Sequence, residues 1–213
     1  MRSGMGRTAA ILGASLCAGC ISLLPEQGEP IALYTLDGSH APAPSEAAEL
    51  ATGPVISVDS PSGPLSILGD DLVWREDNAI SFVAEAGWAG AARIQLQRLL
   101  IELLGQSSSV RAVSASGEGA RPDLIVRWDI AHFEVAQGPQ RPTAQFSATA
   151  QLIDARTRQL LGVRRLYAEK PLERRSTQEA ATALRSVARQ GVEDLASWVA
   201  AQSAAYPPRP AQP

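Results

Sequence analysis

The amino-acid sequence predicts an α+β fold, a two-layer α/β sandwich in which two amphipathic helices cover one face of a largely antiparallel sheet. One observation is the strict alternation of apolar and polar residues over 143–153, which is typical of a strand with one covered and one solvated face. The other is the helical spacing of apolar residues in two segments, 88–104 and 177–202. We expect both apolar stripes to face the core.

Composition limits the class of protein. The chain has 213 residues, of which 45% are hydrophobic and 19% charged, and this suits a folded domain rather than a disordered chain or a bundle of membrane helices. Its net charge of −3 lacks the basic excess of a nucleic-acid-binding protein. Two histidines and two cysteines leave few ligands for a transition metal. We therefore expect no nucleic acid, no metal and no cofactor.

The first twenty residues, MRSGMGRTAAILGASLCAGC, have the layout of a secretory signal. Two arginines form a positive region, and the apolar run over 8–16 is too short to cross a bilayer whose core is about 30 Å thick. Two small residues, the second of them Gly19, then precede Cys20. We interpret 1–19 as a signal peptide that is cleaved between Gly19 and Cys20.

A cysteine directly after the small residues resembles a bacterial lipobox, in which the thiol is diacylated and the new amine can receive a further acyl chain such as palmitate. The sequence departs from that pattern at Cys17, where a lipobox usually has leucine. Two other interpretations stay open: a plain secretory signal, and a Cys17–Cys20 redox or metal pair, for which the chain offers no further ligands. We expect Cys20 to be the lipid attachment site and 20–30 to be a tether.

One domain is predicted over 31–202, and its first half contains strands and turns. Residues 31–36 (IALYTL) predict a strand, which a flexible loop rich in proline, alanine and serine follows at 37–54. This loop contains His40, to which we assign no catalytic role. Short strands are predicted at 55–58, 72–75 and 79–84, with turns at 61–64 and 77–78.

The second half of the domain contains both predicted helices. Trp88 begins the first, and Gly105 is expected to end it. A capping-box pattern at 176–179 opens the second helix, which runs to about Gln202. Further strands are predicted at 124–133, 143–153 and 159–168, with a turn at 154–158. Four prolines in 203–213 predict a disordered tail.

No recognisable catalytic motif occurs in the sequence. His132 lies in a predicted strand and has no serine or cysteine beside it in a catalytic arrangement. The glycine-rich segment 114–120 lacks the Lys–Ser/Thr pair of a P-loop, and Asp70 and Asp71 are adjacent in a loop without histidines. Composition alone leaves open a hydrolase that acts through two carboxylates. We predict that the protein is not an enzyme, and we assign no catalytic residue.

The order and spacing of several segments resemble a known family. CAGC is followed by IALYTL, by VISV at 55–58, and by a hairpin and helix over 72–104, whose part 78–104 with Trp88-Ala89 matches best. After these come PDLIVRWDIAHFEV and FSATAQLIDARTRQLLGVRRLYAEKPL. A closing amphipathic helix contains Trp198. Over 20–201 the chain resembles the ABC-type transport auxiliary lipoprotein family, the PqiC/YmbA-like accessory lipoproteins of MCE lipid transport systems.

This resemblance implies a noncatalytic component of an MCE-type ABC transport system that moves lipids between the inner and outer membranes. Its implied partners are an MCE substrate-binding protein and an ABC permease complex, and it allows a homo-oligomer. It also implies a periplasm-facing, lipid-anchored protein. We expect the outer membrane rather than the inner, because Ile21 after the cysteine is not the aspartate that retains lipoproteins in the inner membrane. The alternative is a structural lipoprotein of outer-membrane assembly, a partner in barrel or lipopolysaccharide insertion.

Overall fold

The computed structural model describes residues 31–36, 53–138 and 141–206, and within them the chain forms eight strands and three helices. The strands are β1 (Ala32–Tyr34), β2 (Val55–Val58), β3 (Asp71–Glu76), β4 (Ala79–Trp88), β5 (Ala112–Ala115), β6 (Leu124–Gln137), β7 (Pro142–Asp154) and β8 (Leu160–Pro171). The helices are α1 (Leu65–Leu68), α2 (Ala92–Gly105) and α3 (Thr177–Ala204). The predicted α+β class is confirmed.

Several predictions lie outside the described residues. They are the signal peptide 1–19 with Gly19, the tether 20–30 with Cys20, the loop over 37–52 with His40, and the tail beyond 206.

The sheet is organised around β6, its longest strand. β7 pairs antiparallel with β6 along its length, from Leu124 opposite Asp154 to Gln137 opposite Pro142. β7 occupies one edge of β6, and β2 and β3 share the opposite edge. Both run parallel to β6: β2 pairs with the start of β6, and β3 pairs with its end. The chain passes through α2 before it reaches β6, which supplies the crossover that parallel neighbours need. β5 extends the sheet beyond β2, β4 and β1 extend it beyond β3, and β8 pairs antiparallel with β7.

The helices α2 and α3 pack against each other and against one face of the sheet. On β7 this face consists of Ala144, Phe146, Ala148, Ala150 and Leu152, all buried. The helix comes closest at Gly191 of α3, where a Cβ atom would lie 2.4 Å from the ring of Phe146. The intervening polar residues of β7 are half-buried or exposed, so the predicted alternation is confirmed.

Trp88 requires a correction to the predicted helix 88–104. It is the last residue of β4, and α2 begins only at Ala92. Its side chain is buried and stacks on Phe133, with 5.6 Å between the ring centroids. The error arose because only three residues separate the buried end of β4 from the buried stripe of α2, and the apolar spacing does not distinguish the two elements. The C-terminal end of the helix lies one residue beyond the predicted end at 104, since Gly105 is the last residue of α2 and Gln106 is its C-cap.

Other elements also differ from the sequence-based expectation. β4 and β6 extend beyond their predicted ends at 84 and 133, to Trp88 and Gln137, and β8 extends beyond 168 to Pro171. α1 and β5 were not predicted: α1 is a single helical turn, and β5 (AVSA) lacks the run of β-branched residues that marks the equally short β2 (VISV).

At the C-terminal end of the domain, α3 extends to Ala204, two residues beyond the predicted end of this helix at Gln202. Ser203 is buried, and the Tyr206 hydroxyl donates a hydrogen bond of 2.8 Å to Asp154. Residues 203–206, which the sequence assigned to the tail, therefore belong to the fold.

Candidate functional site

The sheet face opposite α2 and α3 is the main candidate for a functional surface, and we call it the open face. Its side chains come from alternate positions of β6, β7 and β8, which the ladder places in rows: Ile125, Ile153 and Leu160; Arg127, Gln151 and Val163; Asp129, Thr149 and Arg165; His132, Ser147 and Tyr167; Glu134, Gln145 and Glu169. Arg127, Asp129, Thr149, Gln151 and Arg165 are exposed. The middle of the open face is thus polar and solvated.

Large apolar side chains border this polar centre. On β8, Val163 and Tyr167 are 51% and 59% exposed, and on β4, Phe82 is 54% exposed beside Ile80. Exposed apolar groups around polar residues are found on surfaces that bind partners, although scattered single residues are also common. The open face is therefore a candidate interaction surface.

A buried ionic cluster lies on the open face where β3 meets β6. Glu134 is fully buried, and its carboxylate accepts hydrogen bonds of 2.6 and 3.0 Å from the Arg75 guanidinium. His132 Nδ1 lies 2.9 Å from the same carboxylate. Burial by itself would raise the pKa of Glu134, but the hydrogen bonds from Arg75 and His132 outweigh it, so the pKa is lowered. The same hydrogen bond is the main reason why the pKa of Arg75 is raised.

This cluster is suited to fixing the sheet rather than to chemistry. The carboxylate is held in its ionised form with both oxygens occupied, so it is a poor proton acceptor at neutral pH. Among the described residues, no serine, threonine or cysteine side chain bonds to Arg75, His132 or Glu134. The sequence drew attention to His132 alone. The two residues that hold the cluster were missed because the β3–β6 pairing joins positions 59 apart in the chain.

The other candidates from the sequence lie apart from one another. Asp70 is exposed in the turn before β3, and Asp71 is the exposed first residue of that strand. The glycine-rich segment 114–120 begins in β5 and continues as a loop. In the part of the chain that the structure describes, His, Cys, Asp and Glu form no group of three that could hold a metal ion. None of the helices in that part has the length and apolarity needed to cross a membrane.

Comparison with known proteins gives one family and two similar folds. Residues 34–196 match the family described as the ABC-type transport auxiliary lipoprotein component. A crystal structure of a Xanthomonas campestris protein superposes with a TM-score of 0.64 at 21% identity, covering 70% of this chain and 86% of that one. A crystal structure of an uncharacterized protein has a TM-score of 0.60 at 16% identity, covering 80% and 99%. No curated protein sequence matches. At these identities the two structures show a shared fold.

Proposed function

The chain belongs to the ABC-type transport auxiliary lipoprotein family, and on that basis we propose that it is a noncatalytic, lipid-anchored subunit of an MCE-type ABC transport system. Such a system would move lipids between the inner and outer membranes, with an MCE substrate-binding protein and an ABC permease complex as partners. The supporting observation is the family match over 34–196, which spans most of the domain. The ion-paired Glu134 cluster and the partly apolar open face are consistent with a binding subunit.

We propose that the anchor is at Cys20, carrying acyl chains such as palmitate, after removal of the signal peptide at Gly19. A fully extended tether over 20–30 reaches at most about 40 Å. The start of β1 would therefore lie within that distance of the lipid surface. Ile31 and Leu33 at this end of the domain are both exposed, which suits a position close to a membrane. We place the domain in the periplasm, on the outer membrane rather than the inner.

The anchor is tested with two matched cysteine variants. Cys20→Ser is expected to leave the protein outside the membrane fraction, with an unprocessed or wrongly cut signal, whereas Cys17→Ser is expected to fractionate and migrate like the wild type. Membrane fractionation, gel mobility and intact mass of the purified protein measure this. Separation of the two membranes on a density gradient then gives the location. A Cys20→Ser protein of mature size in the membrane fraction would show that Cys20 is not the anchor.

The transport assignment is tested by crosslinking in cells. Purification of the crosslinked wild-type protein should recover an MCE protein and an ABC permease, and the Cys20→Ser variant should recover less of both, because it is no longer held at the membrane. Recovery of barrel-assembly or lipopolysaccharide-insertion proteins in their place would favour the alternative of a structural assembly lipoprotein. The neighbouring genes provide an independent check, since a permease and an ATPase are expected there.

A further inference from the structure

An open cavity of about 400 Å³ lies at the end of the open face, away from the Glu134 cluster. Its walls come from the ends of β2 and β5, the start of β6, and the turn between β7 and β8. Of the residues that the structure describes, three arginines line it, Arg121, Arg127 and Arg158, together with two carboxylates, Asp59 and Glu118. The lining thus has an excess of positive charge on a chain whose net charge is −3.

The arginines are incompletely paired. Arg127 Nε lies 3.1 Å from Asp59, and no hydrogen bond engages its two terminal nitrogens within the described residues. Over the same residues, Arg121 and Arg158 form neither a hydrogen bond through the side chain nor an ion pair. A guanidinium group offers several N–H donors in a planar fork, which matches the oxygens of a phosphate group. Unpaired guanidinium groups around one cavity therefore favour an anionic ligand.

The glycine-rich loop forms one wall and is held in a defined shape. Gly117 and Gly119 have φ values of +84° and +75°, which side chains disfavour. A Cβ atom at Gly119 would lie 2.9 Å from the Ser114 hydroxyl, which donates a 2.8 Å hydrogen bond to the Glu118 carbonyl. The loop consequently packs closely on Ser114, and Gly117 and Gly119 line the cavity without side chains that would narrow it.

The opposite wall is held equally firmly. The backbone N–H of Arg158 donates a 2.9 Å hydrogen bond to the Asp154 carbonyl, and this bond closes the turn that carries the arginine. The Asp154 carboxylate accepts hydrogen bonds from the backbone N–H groups of Arg156 and Thr157, at 2.9 and 2.7 Å. The backbone of Arg158 is therefore fixed before any ligand arrives, so that binding would order only its exposed side chain.

We propose that this cavity binds a phosphate group, either of a soluble phosphate compound or of a phospholipid headgroup. The glycine-rich loop leaves room for the ligand at one wall, and three arginines supply the charge: Arg121 before β6, Arg127 on β6, and Arg158 in the turn between β7 and β8. The proposal goes beyond the proposed function and does not depend on it, because a phosphate site in this cavity requires neither an MCE partner nor an anchor.

The experiment is calorimetric titration of the purified full-length protein in detergent with inorganic phosphate at low ionic strength. We expect the Arg121→Gln/Arg158→Gln protein to bind phosphate at least tenfold more weakly than the wild type. The matched control is Arg93→Gln/Arg98→Gln, which removes the same charge from exposed positions on α2 and should change the affinity less than twofold. Gly119→Ala, which leaves the charge intact but displaces the loop, should also weaken binding. Thermal melts establish that each variant is folded.

A parallel titration with dihexanoylphosphatidylglycerol distinguishes the two sources of the phosphate group. Arginine-dependent binding of both ligands would identify a headgroup site, and arginine-dependent binding of inorganic phosphate alone would identify a site for soluble phosphates; either supports the proposal. It is overturned if the wild type binds neither ligand, or if the α2 control loses as much affinity as the cavity variant.

Discussion

The guanidinium of Arg75 donates two hydrogen bonds, of 2.6 and 3.0 Å, to the fully buried carboxylate of Glu134. This pair joins β3 to β6 at a place where the two strands share only a short register, Trp74 opposite Val135 and Arg75 opposite Ala136. A short parallel ladder by itself is a weak connection. The ion pair therefore stabilises the junction between the two halves of the sheet.

Removal of the arginine should cost more stability than removal of the charge on its partner. Arg75→Met leaves a buried carboxylate without its counter-ion, and we expect the free energy of unfolding to fall by about 2 to 3 kcal/mol. This is at the lower end of what breaking a buried ion pair costs, because the arginine side chain is partly exposed. Glu134→Gln should cost about 1 kcal/mol, since the amide still accepts a hydrogen bond. Urea unfolding at pH 7 measures both.

The control for this prediction is the exposed pair Arg127–Asp59, in which the arginine side chain is 58% exposed. Arg127→Met should cost less than about 1 kcal/mol, because solvent screens the pair. An equal cost for Arg75→Met and Arg127→Met would mean that burial of Glu134 does not determine the energy of the cluster.

Stability in acid should depend on the contact between Asp154 and Tyr206. The backbone N–H of Thr157 and the Tyr206 hydroxyl are the main groups that lower the pKa of Asp154, to about 2. Because this pKa is below that of an unfolded aspartate, about 3.9, the stabilisation is complete above pH 4 and is lost as the pH falls towards 2. Tyr206→Phe should raise the pKa of Asp154, lower stability at pH 7 by about 1 kcal/mol, and make the loss between pH 4 and 2 smaller.

Carboxyl chemical shifts and urea unfolding at several pH values measure these effects. Tyr167→Phe is the matched control, since Tyr167 donates to Glu169 on the exposed surface of β8. Its stability should stay close to that of the wild type across the acid range. If Tyr206→Phe follows the same acid profile as the wild type, the hydrogen bond to Asp154 does not contribute.

Close packing of α3 on the sheet should make Gly191 intolerant of a side chain. Gly191→Ala places a methyl group 2.4 Å from the Phe146 ring, and relief of that overlap should cost about 1 to 3 kcal/mol despite the better helix propensity of alanine. The double variant with Phe146→Leu should recover part of this loss. Gly105→Ala, at a helix position with open space, should be neutral or slightly stabilising. A stable Gly191→Ala protein would show that the helix shifts easily on the sheet.

The sequence predicts best those elements whose pattern is long and regular. β7 alternates over its whole length, and α3 begins at the predicted cap, where the Ser176 hydroxyl accepts from the N–H of Glu179. The predictions fail where the signal is short or where two buried elements join, as at β5 and at Trp88. The ion-pair cluster and the arginine-lined cavity are assembled from distant strands by parallel pairings, and no local periodicity encodes such contacts.

The side chain of Gln95 on α2 should help to hold the end of the segment 31–36, beside the pairing of β1 with β4 and the hydrogen bond from Arg185 to the Thr35 carbonyl. This buried amide accepts a 2.8 Å hydrogen bond from the N–H of Leu36 and donates one of 2.7 Å to the carbonyl of Gly90. Gln95→Ala would leave a buried N–H without its partner, so we expect a loss of about 2 kcal/mol and faster amide exchange over 32–36. Hydrogen exchange followed by mass spectrometry measures this local opening.

Gln97 provides the comparison that separates a local effect from a general one. It lies two residues further along α2 and donates a 2.8 Å hydrogen bond to the carbonyl of Val58 on β2, away from β1. Gln97→Ala should therefore lower stability by about 1 kcal/mol and leave the exchange over 32–36 unchanged relative to the rest of the sheet. Equal exchange over 32–36 in the two variants would mean that Gln95 does not fix β1. If the difference is as expected, Gln95 connects the segment 31–36 to α2, as the hydrogen bond from Arg185 to the Thr35 carbonyl connects it to α3.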